Sequence, residues 1–230
     1  MKQRMVKPQE YKLNLWQEFM EQMDYIPERW YDTLGMIAGI YVNDTSFLFK
    51  VYEAFIARDR FVEDMKNDVY YERDGGDHIL SYKGEKCMFE EAEFKRVLVS
   101  MLDLLEDTLP LGTVVDLKKS VYEGVEELAK VENIRIVVTY RFLNSGDDNY
   151  YFPYAGVIYP TGMLGAEEVM YFTRSLVENV IQRGFRDQDE ETYVSLMKKE
   201  LVIEKGKNSF GFATAEEIEL LSQQMKGDVQ

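Results

Sequence analysis

The chain has 230 residues, 46% of them hydrophobic and 30% charged, with 5 prolines. This is globular composition, enough for one large domain or two small ones, and it excludes a disordered or low-complexity chain. A formal net charge of −15 opposes nucleic acid and anionic membrane, because affinity for phosphate comes from Lys and Arg neutralisation. The acidity either steers the protein toward basic partners or serves only solubility.

The first segment has helical period. Leu13, Trp16, Met20 and Met23 recur at three- and four-residue steps, with Leu15 and Phe19 widening the stripe. Pro27 breaks it and opens a second helix over 28–42, which Gly35 and Gly39 weaken. Asp44, Thr45 and Ser46 offer N-caps. The spacing of Leu48, Val51, Tyr52, Phe55, Ile56, Phe61 and Val62 predicts a long amphipathic helix over 47–65. A β-hairpin near 69–82 follows, its arms flanking Asp74-Gly75-Gly76-Asp77. A helix over 89–106 buries Phe94, Val97, Leu98, Met101, Leu104 and Leu105.

At Thr108-Leu109-Pro110-Leu111-Gly112 the texture changes. Thr113–Leu117 and Ile134–Phe142 read as strands, the second β-branched and aromatic throughout. Residues 121–131 between them form a short helix or a long excursion. Tyr150–Tyr159 is strand-like, with Pro153 and Gly156 indicating an edge or a bulge. Within 167–184 a short helix precedes a closing strand at Val177–Gln182. Asp187–Lys199 is a helix with an acidic start and a basic end, and Thr214-Ala215-Glu216-Glu217 opens a last helix to about Met225. The fold class expected is α+β: a mostly helical domain with a hairpin over 1–107, then a β-rich domain with C-terminal helices over 108–230.

The residues offer little assembled chemistry. His78, the single histidine, lies beside a predicted turn and reads as a solvent-exposed hairpin residue. Cys87 is the single cysteine, so no intramolecular disulfide forms, and one Cys with one His cannot supply a structural zinc set. A reactive His78–Cys87 pair across the hairpin is the residual alternative. Neither a Walker-type phosphate loop nor the dinucleotide-binding glycine fingerprint is present. Asp147-Asp148-Asn149 lacks the ligand order of a calcium loop and reads as a turn. Asp189-Glu190-Glu191 reads as a solvated helix start, and Glu167-Glu168 carries no pairing signal. The expectation is a protein that is not an enzyme, with no catalytic residue, cofactor or metal. The first residues carry no apolar run of signal-peptide length, and Gly35–Val42 is too short to span a bilayer, so a cytoplasmic location is expected.

Sixteen tyrosines and 13 phenylalanines are more informative. Tyr150, Tyr151, Phe152, Tyr154 and Tyr159 gather on one predicted strand, where alternation sends some side chains inward and some outward. The outward ones are candidate partner-binding residues, since Tyr is enriched at interface hot spots; the competing reading is core filling. The cluster lacks the interleaved basic residues of a nucleic-acid stacking platform.

Three stretches of the second half form a pattern. They are Leu109-Pro110-Leu111-Gly112-Thr113-Val114-Val115 with Leu117-Lys118, and Tyr154-Ala155-Gly156-Val157-Ile158-Tyr159-Pro160-Thr161-Gly162 with Gly165, Glu167, Glu168, Tyr171 and Phe172. Ile181, Gly184, Phe185, Asp187, Asp189 and Glu190 complete it. From about 109 to 196 the chain resembles an uncharacterised-domain family of Gram-positive bacteria, domain of unknown function 4176. The segment 120–133 is longer than that pattern expects. The resemblance implies a small antiparallel barrel-like β domain followed by a helix. It also implies a neighbourhood of type VII secretion loci encoding LXG-type toxins. The expected function is therefore a non-catalytic cytoplasmic chaperone or targeting factor that binds a secreted toxin protein. The alternatives are an immunity protein that neutralises the toxin and an enzyme with an unrecognised carboxylate site.

Overall fold

The computed structural model describes residues 8–119, 133–146, 149–163 and 169–212. The stretch 121–131 and the helix expected from Thr214 fall outside these residues. The chain divides into two compact units: residues 1–107 with 192–205, and residues 108–191 with 206–230.

The first unit opens with α1 (Pro8–Gln22), α2 (Tyr31–Tyr41) and α3 (Ser46–Ala57). A short 3-10 turn at Glu28–Trp30 follows Pro27 and leads into α2. The apolar stripe of α1 buries Leu15, Trp16, Phe19 and Met20. Ser46 N–H donates to Asp44 Oδ1 at 3.0 Å, so Asp44 serves the first turn of α3.

The helix expected over 47–65 is shorter. It stops at Arg58, whose left-handed φ of +61° turns the chain while its N–H and that of Asp59 return to the carbonyls of the last turn. Phe61 and Val62, which extended the helical stripe in the sequence, instead begin a strand. β1 (Phe61–Asp64), β2 (Val69–Asp74), β3 (Asp77–Tyr82) and β4 (Glu85–Glu90) form an antiparallel meander in chain order. The hairpin expected near 69–82 is β2–β3, joined at Gly75-Gly76. α4 (Glu91–Leu105) starts on a capping box in which Glu90 and Glu93 satisfy each other's backbone donors. It buries the expected stripe and also Val99, Ser100, Leu102 and Asp103, because α1, α2, α3, the sheet and the turn at 199–204 all pack on it.

Among the described residues the second unit is a sheet of six strands. Its order is β10 (Asn208–Ser209), β7 (Tyr150–Ile158), β6 (Arg135–Asn144), β5 (Val114–Leu117), β9 (Val177–Gln182), with β8 (Met170–Phe172) also on β7. All pairs are antiparallel except β10–β7. The barrel-like closure expected from the family resemblance is absent among the described residues: β9 ends one side of the sheet and the short β8 and β10 share the other. β7 is not an edge strand. Pro153, which has no N–H to give a ladder, falls between the residues paired to β10 and those paired to β8. One face of the sheet is the core, built from Val115, Leu117, Ile136, Val138, Tyr154, Phe172 and Val177 with Leu109 and Ile134. α5 (Gln188–Lys198) then carries the chain from the second unit's residues back into the first's.

Candidate protein-docking surface

The face of the second sheet turned away from the core is set by register. Asp116 pairs with Arg135, Val114 with Val137 and Val137 with Val157, all one residue out of step with the buried set. Between Val138 and Tyr140 the β6–β7 register shifts by one, leaving Thr139 as the extra residue of a bulge. Strict alternation would put Tyr140 inward with Ile136 and Val138. The bulge turns it outward and sends Arg141 inward in its place.

Tyr140, Ala155 and Tyr171 are then directly opposite one another across β6, β7 and β8. Tyr140 is 47% exposed and Tyr171 52%, and they flank a fully buried Ala155. The half-buried Val114, Val137 and Val157 lie in the next row. Beyond them Arg135 Nε holds Asp116 Oδ1 at 2.8 Å, and Tyr159, 52% exposed, donates its backbone N–H to Arg135 O. The result is an amphipathic surface of tyrosine and valine with the Arg135–Asp116 ion pair at one end, of a composition suited to protein recognition.

The five aromatic residues expected to bind a partner are mostly structural. Tyr154 is buried in the core, stacked on Phe172 at 5.4 Å, with its hydroxyl accepting the Leu109 N–H at 3.1 Å. Tyr150 is buried, its carbonyl accepting Ser145 Oγ–H at 2.6 Å and its ring meeting Phe210 edge-on. Tyr151 is buried with its ring 6.2 Å from Phe142. Phe152 is half-buried between Tyr171 at 5.0 Å and Phe210 at 4.5 Å. Of the five, Tyr159 alone is well exposed. Tyr140 was missed because its outward direction depends on the bulge. Tyr171 was missed as a surface residue because it belongs to a three-residue strand whose face is fixed only by pairing with Ala155.

Two motif stretches meet at the end of this sheet. The Thr113 hydroxyl donates to Pro110 O at 2.6 Å and accepts the Gly184 N–H at 3.1 Å. A Cβ at Gly184 would overlap Leu111 O, so only glycine allows this approach. Leu111 and Phe185, which adjoin the contact, are exposed, Phe185 by 81%.

The acidic start of α5 is not simply solvated. Glu190 forms a two-pronged ion pair with the buried Arg141, Nη2 to Oε2 at 2.9 Å, and Asp187 Oδ1 accepts the Glu190 N–H at 3.0 Å. Glu191 pairs with Arg186.

In the first unit His78 is not an exposed hairpin residue. It is 2% exposed on the inward side of β3, stacked 5.1 Å from Phe94, with Nδ1 2.9 Å from the Tyr71 hydroxyl. Burial pushes its pKa down. Cys87 is opposite Leu80, whereas His78 is opposite Phe89, so the two are not paired across the strands. Burial pushes the Cys87 thiol up to about 12, which keeps it protonated and unreactive at neutral pH. Among the described residues no group of His, Cys, Asp and Glu is placed to hold a metal ion. A cleft of about 600 Å³ lies between Tyr41, Phe47 and Lys50 on one side and Glu63–Asn67 on the other. Asp64 in its wall accepts from the Asn67 amide and the Tyr41 hydroxyl, which hold its pKa low. None of the described helices is long and apolar enough to cross a membrane.

The fold and this surface define a two-unit α+β protein with a tyrosine-lined sheet face in its second unit. Residues 108–193 match the family model described as Domain of unknown function (DUF4176), which agrees with the resemblance carried by the motifs. Comparison with curated proteins returns no match, and comparison with solved structures returns none.

Proposed function

We propose that this protein is a non-catalytic accessory factor that binds a type VII-secreted, LXG-type toxin in the cytoplasm as its chaperone or targeting factor. The observation that carries the reading is the outer sheet face in the family-matched segment, where Tyr140, Tyr159 and Tyr171 stand around three half-buried valines. Aromatic side chains of this kind supply large contact area for little entropy loss and concentrate at protein interfaces. The locus context of the resembling family supports a secreted toxin as the partner. The burial of His78 and Cys87 fits a binding role better than nucleophilic chemistry.

The test is co-expression with an LXG-type toxin of the same organism. The reading expects a stable co-purifying complex and a rise in toxin abundance or export. Rescue of growth from the toxin, without effect on its abundance or export, would favour the immunity reading. Absence of any complex would reject both.

A further inference from the structure

The first unit is completed by residues that follow the 108–191 segment. Lys198 is the one buried side chain of α5. Its ammonium donates to Leu104 O at 3.2 Å and to Glu106 O at 2.6 Å, where α4 ends. A helix C-terminus has carbonyls without intrahelical donors, and its dipole favours a cation. Lys199 pairs with Glu18 of α1. Arg96 of α4 lies over the Phe19 ring of α1 and donates to Val202 O. The chain then runs through a π turn, Lys199–Glu204, that buries Leu201, Val202 and Ile203 in succession.

We infer that residues 192–205 are a releasable clasp on the first unit, seated in a single register by Lys198 and able to open without unfolding the rest. The apolar seal is modest: Leu201–Ile203 are buried together, Val194 and Met197 are half-buried, and Tyr193 and Leu196 remain exposed. The other fastenings are polar. A buried ammonium gives up its hydration, and burial lowers the Lys198 pKa to about 8, with Lys12 of α1 acting in the same direction. Glu106, Asp103 and Asp107 oppose that shift. A buried ammonium is strongly penalised in any position where it lacks its acceptors, so Lys198 holds the segment to the one register in which both carbonyls meet it. Segments with few buried apolar contacts open at lower free energy than the core.

Hydrogen exchange on the full-length protein, measured across low urea concentrations, tests the inference. The amides of 192–205 are expected to exchange at least tenfold faster than those of α4 and with a weaker urea dependence, since opening the clasp exposes less surface than unfolding the unit. Lys198→Met is expected to raise exchange in 192–205 tenfold or more while leaving β2 and β3 unchanged. A wild-type protein in which 192–205 and α4 share one rate and one urea dependence would overturn the clasp, and this arm stands even if the variant fails to fold. Unchanged exchange in a folded Lys198→Met would overturn the role given to Lys198.

Discussion

Arg141 and Glu190 form a two-pronged ion pair in the second unit, with the Arg141 side chain 3% exposed and that of Glu190 16% exposed. The pair exists because the bulge at Thr139 turns Arg141 inward, and the same bulge turns Tyr140 to the surface. One irregularity in β6 thus produces both the charge pair and the exposed tyrosine.

Glu190→Gln removes the two-pronged carboxylate partner of the buried guanidinium. Breaking a buried pair in this way costs about 3–5 kcal/mol. The second unit should lose that much stability in urea unfolding followed by near-ultraviolet circular dichroism. Arg141→Met combined with Glu190→Leu should recover most of the loss, since replacing both partners by apolar groups removes the uncompensated charge.

Gly184→Ala places a Cβ against Leu111 O, and Gly156→Ala places one against Val137 O. Backbone oxygens in a ladder and a tied turn cannot retreat, so each variant should be destabilised by about 1–3 kcal/mol in thermal or urea unfolding. Gly35→Ala meets nothing within 4 Å and lies inside α2. It should be neutral or stabilising by about 0.5–1 kcal/mol, the ordinary helix preference for alanine.

The first unit should weaken in mild acid through His78. Burial holds its folded pKa below the unfolded value of about 6.5, so beneath that pH the unfolded chain binds a proton that the folded chain refuses. Stability is full above about pH 6.5 and falls as pH drops below it, by at most about 1.4 kcal/mol per pH unit for one group. Arg73 and Arg58 reinforce the shift, whereas Glu91 and Asp77 oppose it. Asp44 and Asp64 have lowered values and contribute only further into acid. Both tryptophans, Trp16 and Trp30, belong to the first unit, so their fluorescence follows it in urea at pH 7.5 and 5.5. His78→Leu with Tyr71→Phe should flatten the difference; an unchanged slope would assign it to other groups.

Cys87 should resist a thiol reagent at pH 8 in the folded protein and react promptly in denaturant, because its thiol is buried and raised to about 12. Rapid native labelling would contradict the packing of β4 against α4.

Much of the fold was legible where period and punctuation agree. The stripe of α4, the Asp74–Asp77 turn, β6 and the closing strand β9 are of this kind. The misreadings share a cause. Phe61 and Val62 continue a helical spacing, but a left-handed Arg58, a backbone event, ends the helix before them. β1 and β4 are short and charged, and pairing with β2 and β3 defines them more than their own pattern does. The candidate site was legible only in part. Density of aromatics on β7 drew attention to this sheet, where Tyr159 is exposed but Tyr150, Tyr151 and Tyr154 fill the interior. Tyr140 and Tyr171 come to the surface through a bulge and a cross-strand register, which no single stretch of sequence displays.

The central claim is that the outer tyrosine face of the second unit docks a toxin protein. The direct measurement is calorimetric affinity of the purified protein for an LXG-type toxin of the same organism, compared with Tyr140→Ala/Tyr171→Ala and with Met36→Ala, an exposed residue of the first unit, as control. Two hot-spot side chains of about 2 kcal/mol each predict a loss of several hundred-fold for the double variant and none for the control. Binding by the double variant equal to wild type, with its sheet intact by circular dichroism, would contradict the account.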